Sequence, residues 1–216
     1  MSTDDTRTQA GAPTVRAAGA ADAPAIAGIL ASALAAKYRP AFGARAQAGI
    51  AGIVRDEVTA GASGFLVAEL DGEPVGSAHI ATLETLPPPR FGRRLAARVG
   101  VPTAVRAVLV LSLLRQQGLE EDEAHVGEVG VLETARRRGV ATALMDAVEA
   151  RARAMSKTRL TLWVTLDNTA AIPLYTRLGF VPRRRRTWFL GRLVFRSPGL
   201  QLMEKRIGGV HEVDGN

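Results

Sequence analysis

The passage VLETARRRGVATALM, Val131 to Met145, constrains the fold of this chain more than any other. An apolar run ends in it, three arginines follow, and Gly139 separates them from an alanine-rich stretch. There Val140, Leu144 and Val148 recur at helical spacing. A strand that turns through a basic loop into a helix is a unit of an α/β fold, in which helices cover the faces of a sheet. A helix beginning near Arg138 presents first-turn N–H groups with no intrahelical acceptor, together with the positive end of its dipole. Gly139 has no Cβ and Ala141 only a methyl, so a ligand can come close to the main chain. The junction therefore reads as an anion site built from backbone, and a pyrophosphate suits it. Arg136, Arg137 and Arg138 raise the local potential, and guanidinium groups grip phosphate oxygens bidentately. A basic, solvated helix start fits the same letters. Neither a GxxxxGK loop nor a GxGxxG fingerprint is present, which excludes those two phosphate-binding devices.

The flanking pattern fills in the fold. Thr14 to Ala17 reads as a short strand, and Asp22 as the cap of a helix with Pro24 in its opening turn. A second helix spans about Ala44 to Thr59, with Ile50, Ile53, Val54 and Val58 on one stripe. Phe65 to Leu70 and Val75 to Leu83 form a hairpin around Asp71-Gly72. The stretch from Thr85 to Glu123 interrupts this rhythm with a basic helix and then TAVRAVLVLSLLRQQGL, a helix apolar almost all round that calls for burial under the domain or against a second copy. A strand over Ala124 to Leu132, a helix to about Met155, the strand RLTLWVTL and a short helix starting no earlier than Thr169 follow. Arg183 to Leu193 and Leu200 to Arg206 close the chain as strands. The reading is one α/β domain over 14–207 with a helical insert at about 85–123, between flexible tails at 1–13 and 208–216.

Composition narrows the chemistry. Cysteine is absent, which removes disulfides, a thiol nucleophile and thiolate metal sites. His79, His125 and His211 are too scattered for a zinc cluster, and no metal site is expected. The formal charge of +7 points to an anionic partner. The start of the chain lacks the apolar segment of a signal peptide. The densest apolar run, AVRAVLVLSLL, is too short to span a bilayer, so no membrane span and a cytoplasmic location are expected.

Arg136-Arg137-Arg138-Gly139-Val140-Ala141 matches the pattern Q/R-x-x-G-x-G/A, and NTAAIPLYTRLGF supplies Asn168, Ala171, Leu174, Tyr175, Gly179 and Phe180 in the pattern N-x-x-A-x-x-L-Y-x-x-x-G-F. Together, with a strand between them, these segments resemble the GCN5-related N-acetyltransferase (GNAT) family. The resemblance is close over Ala124 to Phe180, extends to Thr14–Leu83 by element order, and leaves the insert uncovered. It implies the acyl-CoA N-acyltransferase fold: a mixed, mostly antiparallel sheet with helices on both faces and a V-shaped splay between the central strands. It also implies acetyl-CoA as cosubstrate. Backbone groups of Val129 and Val131 would pair with the pantetheine arm and Asn168 would hydrogen-bond it. Amides of Arg137, Arg138, Gly139, Val140, Ala141 and Thr142 would hold the diphosphate. Glu133 stands where many members have proline, a departure expected to alter loop rigidity.

The implied activity is transfer of acetyl to a primary amine by direct attack in a ternary complex. Tyr175 occupies the position whose phenol protonates the CoA sulfur in the family; by spacing alone it is equally a packed aromatic. Glu128, two residues before Gly130, is the candidate base, with His125 its rival and plain solvation of Glu128 the duller account. A catalytically silent acyl-CoA-binding regulatory module is the alternative. VPRRRRTWFLGR pairs arginines with Trp188 and Phe189, but nucleic-acid binding is the lesser reading because the cosubstrate's phosphates already account for part of the positive charge. The insert suggests a hydrophobic lid near the acceptor or a homodimer contact.

Overall fold

Alternation within single strands shows how the chain builds two cores on one sheet. In the computed structural model, which describes residues 11–61, 64–82, 91–114, 119–187 and 197–208, β1 (Thr14–Ala17) leads into α1 (Ala23–Phe42) and α2 (Ala46–Thr59). The hairpin of β2 (Phe65–Leu70) and β3 (Glu73–Ala81) follows, then the insert helices α3 (Phe91–Val99) and α4 (Val101–Leu114). β4 (Glu123–Val131), α5 (Val140–Ala154), β5 (Arg159–Thr165) and α6 (Ala171–Arg177) come next, and β6 (Val181–Thr187) and β7 (Gly199–Arg206) close the chain. Along β2, Phe65 and Val67 face the cluster formed with α1 to α4, whereas Leu66, Ala68 and Leu70 face the cluster formed with α5 and α6.

The strand order is β1-β2-β3-β4-β5-β7-β6. Among the described residues β4 and β5 are the only parallel neighbours; the other pairs run antiparallel. The mixed, mostly antiparallel sheet with helices on both faces is as expected. Asp71 and Gly72, at φ 53° and 83°, make the tight turn between β2 and β3, the conformation that an Asp-Gly pair favours.

Several boundaries differ from the sequence reading for identifiable reasons. The helix placed near Arg138 begins at Val140, because Arg137 and Gly139 sit at φ 61° and 79°, outside right-handed helix space. Asp22 precedes α1, but its side chain is not a cap for that helix: both its oxygens are held by Arg16 at 2.8 Å, and one also accepts the Gly19 N–H. The second helix starts at Ala46 rather than Ala44, after a short 3-10 turn over Gly43–Arg45. β6 begins at Val181, two residues after Gly179 (φ 89°) turns the chain out of α6; the reading of this strand as far as Leu193, with Trp188 and Phe189, lies partly outside the described residues. Most of both expected tails, and His211, also lie outside them.

The insert helices pack on α1 and α2 through Leu95, Val99, Ala104 and Ala107, all buried. The opposite side of α4 leaves Val101, Val105 and Val108 exposed, at 64 %, 55 % and 41 %, so among its described side chains burial is one-sided rather than all round. The arginine strand β6 is an edge strand; Arg183 reaches Glu204 and Arg185 reaches Gln201, both at 3.0 Å, while Arg186 lies over the Trp163 ring.

Candidate active site

The parallel ladder between β4 and β5 runs only from Glu123↔Arg159 to Val126↔Leu162. Beyond it β4 continues to Val131 paired with β3 alone, and β5 continues to Thr165 paired with β7 alone. The two strands therefore diverge and leave one side of Gly127–Val131 without a strand partner. Leu132 donates its N–H to the Val75 carbonyl at 2.9 Å, so by alternation Val129 and Val131 turn their N–H and C=O groups into the gap. The closed end is pinned by side chains. Arg159 binds Asp122 through two hydrogen bonds of 2.6 and 2.9 Å, and Thr158 donates to the same carboxylate. The acidic run Glu120–Glu123 thus clamps the strands below the point where they part.

At one end of the gap lies the arginine loop. Ala143 makes the first intrahelical bond of α5, to Gly139, so the amides of Val140, Ala141 and Thr142 precede any intrahelical acceptor. A Cβ built on Gly139 would meet nothing within 4 Å, so the space before the helix is open. Among the described residues Arg136 and Arg138 make only long, exposed contacts, to Glu133 at 3.7 Å and Asp71 at 3.9 Å, the kind worth least to stability. An open helix mouth, a left-handed loop and the lightly held guanidinium groups of Arg136 and Arg138 together fit a diphosphate, and the strand gap beside them fits an extended amide-bearing chain.

The other side of β4 carries a cluster that sequence reasoning found only in part. Between Ala78↔Val129 and Ile80↔Val126, His79 alone faces both Gly127 and Glu128, a β-bulge that re-aims the Glu128 side chain. Tyr38 of α1 donates to Glu128 Oε1 at 2.8 Å, and His79 Nδ1 lies 3.8 Å from the same carboxylate. α1 can lie this close because Gly130 has no side chain: a Cβ there would stand 2.8 Å from Leu30 and 3.1 Å from Ala33. One and two turns on, the same stripe reaches Lys37 and Tyr38. Phe65 stacks on His79 with ring centres 4.4 Å apart.

Charge sorts these groups. Burial pushes Glu128 up, but the Lys37 ammonium and the Tyr38 hydrogen bond hold the carboxyl below its usual range. Burial, then Glu128 and Glu57, drives the Tyr38 phenol well above 10. Burial depresses both imidazoles, His125 to about 4, so both are neutral at pH 7. Thr161 gives its proton to Glu123 at 2.5 Å, so its oxygen accepts from His125 Nδ1 at 2.8 Å and the imidazole keeps a bare Nε2. Burial, then Glu128 and Asp56, raises Glu57 of α2 to about 7.

Tyr175 is half-buried on α6, packed on the Phe180 ring at 5.9 Å and raised to about 12 by burial. It is therefore both the packed aromatic and a phenol that stays protonated. Asn168 accepts the Ala171 N–H at 3.0 Å and so caps α6, leaving its side-chain NH2 as the donor. Sequence reasoning missed Lys37, Tyr38, Glu57 and His79. A signal existed for Glu57, a carboxylate set among Ile50, Val54 and Val58 on the apolar stripe of α2.

The model of the acetyltransferase (GNAT) family matches residues 31–180. No curated protein sequence matches the chain. Among solved structures, it is similar to the Corynebacterium glutamicum protein called histone acetyltransferase HPA2 and related acetyltransferase, at 24 % identity and TM-score 0.63, covering 93 % of this chain and 99 % of that one. A putative acetyltransferase of Salmonella typhimurium, yncA, solved with acetyl-CoA, aligns at 16 % identity and TM-score 0.56 over 95 % and 100 %. The paia N-acetyltransferase of Thermoplasma acidophilum, in complex with coenzyme A, aligns at 11 % and 0.58 over 91 % and 99 %. At these identities the likeness concerns the fold.

Proposed function

The chain belongs to the acetyltransferase (GNAT) family, and we propose that it transfers acetyl from acetyl-CoA to a primary amine by direct attack in a ternary complex. The observation that carries this reading is the divergence of β4 from β5 after Val126↔Leu162, with an anion-ready helix mouth at one end and an ionised carboxylate on the other side of β4. The Salmonella and Thermoplasma neighbours, solved with acetyl-CoA and coenzyme A, support the choice of cosubstrate.

Val129 and Val131 pair their gap-facing main chain with the pantetheine amides as an added strand would. The amides from Arg137 to Thr142 take the diphosphate, with Arg136, Arg137 and Arg138 supplying charge. Asn168 donates its side-chain NH2 to the pantetheine arm. Acetyl-CoA supplies an activated acetyl group as a thioester. The Val131 N–H stabilises the oxyanion that develops on its carbonyl. Glu128 attracts the acceptor's ammonium, and Tyr175 hands its phenolic proton to the departing sulfur.

Thiol release from acetyl-CoA across a panel of primary amines tests the proposal. At least one amine should give saturable, stoichiometric release with an acetamide product. Tight binding of acetyl-CoA with no release for any amine would replace the transferase by a ligand-sensing module of the same fold.

A further inference from the structure

His79 has no part in the reaction as just described, yet the fold holds its ring against Glu128 from several directions. The bulge sets it opposite both Gly127 and Glu128, and Phe65 stacks on it with ring centres 4.4 Å apart. A Cβ on Gly127 would stand 3.1 Å from His79 Nδ1, so the ring occupies space that any larger residue at 127 would need. Nδ1 lies 3.8 Å from Oε2 of Glu128, too far for a hydrogen bond, whereas Oε1 is already taken by the Tyr38 hydroxyl at 2.8 Å. Two acceptor atoms at that separation let one nitrogen reach both, at about 2.9 Å from each. Neither group is sealed: the side chains of His79 and Glu128 keep 16 % and 30 % exposure, which leaves the pair open to a ligand.

Resting on the transferase reading, we infer that the acceptor's ammonium sits between Glu128 Oε2 and His79 Nδ1, and that His79 is the base that takes its proton while Glu128 supplies the charge that draws it in. Burial keeps the His79 imidazole neutral at pH 7, so one ring nitrogen is bare, and the Nε2–H tautomer places it at Nδ1. An ammonium donating to both acceptors selects that tautomer. Glu128, held ionised by Lys37 and the Tyr38 hydroxyl, is the weaker base and stabilises the imidazolium as it forms. The titratable and charged groups around the pair are Lys37 and Tyr38 on α1, Glu57 on α2 and His125 on β4; the neighbour from β2 is the uncharged Phe65 ring. His125 is the poorer candidate because its Nδ1 is committed to Thr161 at 2.8 Å.

The step balances as follows. The ammonium gives one proton to His79 Nδ1, and the freed lone pair forms the N–C bond to the acetyl carbon. The C–S bond breaks with its electrons on sulfur, which takes the Tyr175 proton. The second proton shed by nitrogen restores the phenol. His79 then returns its proton to water.

The experiment compares the parent with His79→Gln, His79→Ala and Glu128→Gln, using thiol release with the amines the parent acetylates, between about pH 5 and 9. The parent's kcat/KM should rise through an acid limb centred below 6.5, the direction in which burial moves this imidazole. His79→Gln should lose that limb and about 10²-fold in rate at neutral pH, with acetyl-CoA affinity unchanged by calorimetry. Free imidazole should restore part of the rate to His79→Ala and none to the parent, a rescue that a merely structural role for the ring does not give. Glu128→Gln provides a readout that leaves His79 in place. The Glu128 charge favours the imidazolium, so its removal should keep the limb and move it to lower pH. An acid limb that survives His79→Gln, or one that Glu128→Gln abolishes, overturns this assignment and leaves the transferase standing. A parent that releases no thiol with any amine fails the transferase reading, and this inference falls with it.

Discussion

The two sides of the β4 strand are built from different material. On the side facing β5, the proposed cosubstrate site is main chain: the gap-facing groups of Val129 and Val131 and the first amides of α5. On the proposed acceptor side the work falls to side chains, with Lys37, Tyr38, His79 and Glu128 brought in from α1, β3 and β4. A backbone site tolerates changes of side chain as long as its dihedrals survive. A side-chain site fails with one atom but depends little on local conformation. The two halves should therefore break under different substitutions and in different observables.

The largest effect belongs to Glu128→Gln. It removes the negative charge proposed to attract the ammonium and leaves the Tyr38 hydroxyl an amide oxygen to bond, so the fold should survive. Turnover with the best amine should drop about 10²-fold or more, with acetyl-CoA affinity unchanged by calorimetry. Retention of turnover within a few-fold would remove Glu128 from the acceptor half. Gly139→Val attacks the other half. At φ 79° a β-branched residue is strained by about 1–2 kcal/mol, and its side chain enters the open space before α5. Affinity for coenzyme A should fall about tenfold or more, about 1.4 kcal/mol, with the loss in Kd rather than in the pH profile. Unchanged affinity would mean that the diphosphate is held elsewhere.

That difference in material also explains what the sequence disclosed. The cosubstrate half lies in one contiguous stretch plus Asn168 and Tyr175, and backbone geometry leaves traces in it: a glycine where φ is positive, small residues where a ligand approaches. The boundary error at Arg138 arose because Arg137 also takes a left-handed φ, which arginine does not advertise. The acceptor half is dispersed over residues 37 to 128, and only sheet register and the bulge at Gly127–Glu128 bring it together. His125 was legible as a base candidate, but the Thr161–Glu123 chain that fixes its tautomer depends on the register between β4 and β5. The acidic run Glu120–Glu123 carries no spacing that announces a partner; its clamp on Arg159 appears only once the parallel ladder is known. The insert's apolar helix called for burial, yet among its described side chains the small residues Ala104 and Ala107 are buried while Val101, Val105 and Val108 face out.

A smaller effect sharpens the boundary between the halves. In the proposed reaction Tyr175 belongs to the cosubstrate side but acts through a side chain, so Tyr175→Phe should mimic the acceptor half. The phenol makes no hydrogen bond among the described residues, so packing on Phe180 is preserved and stability should change by less than about 0.5 kcal/mol. The rate should fall about tenfold, with coenzyme A affinity held. A loss of affinity instead would show that the ring's role is to line the gap.

The least effect is expected far from the chemistry, at the start of α1. Arg16 bridges Asp22 and Glu69, tying that helix to β1 and β2, while its opposite end carries Tyr38. Arg16 holds the Asp22 carboxyl down at about 2, against 3.8 in an unconstrained chain. A depressed carboxyl stabilises the fold above its unfolded value and loses that contribution as pH falls through its folded one, so the window lies between about pH 4 and 2. Asp22→Ala should lower stability at pH 7 by no more than about 1 kcal/mol, since Arg16 is largely exposed, and the difference from the parent should vanish by about pH 2 in urea melts. If helix placement matters to the side-chain half alone, turnover should slip slightly while coenzyme A affinity stays fixed. Equal losses in both would mean that α1 also sets the angle at which β4 leaves β5, and that the two halves are mechanically one.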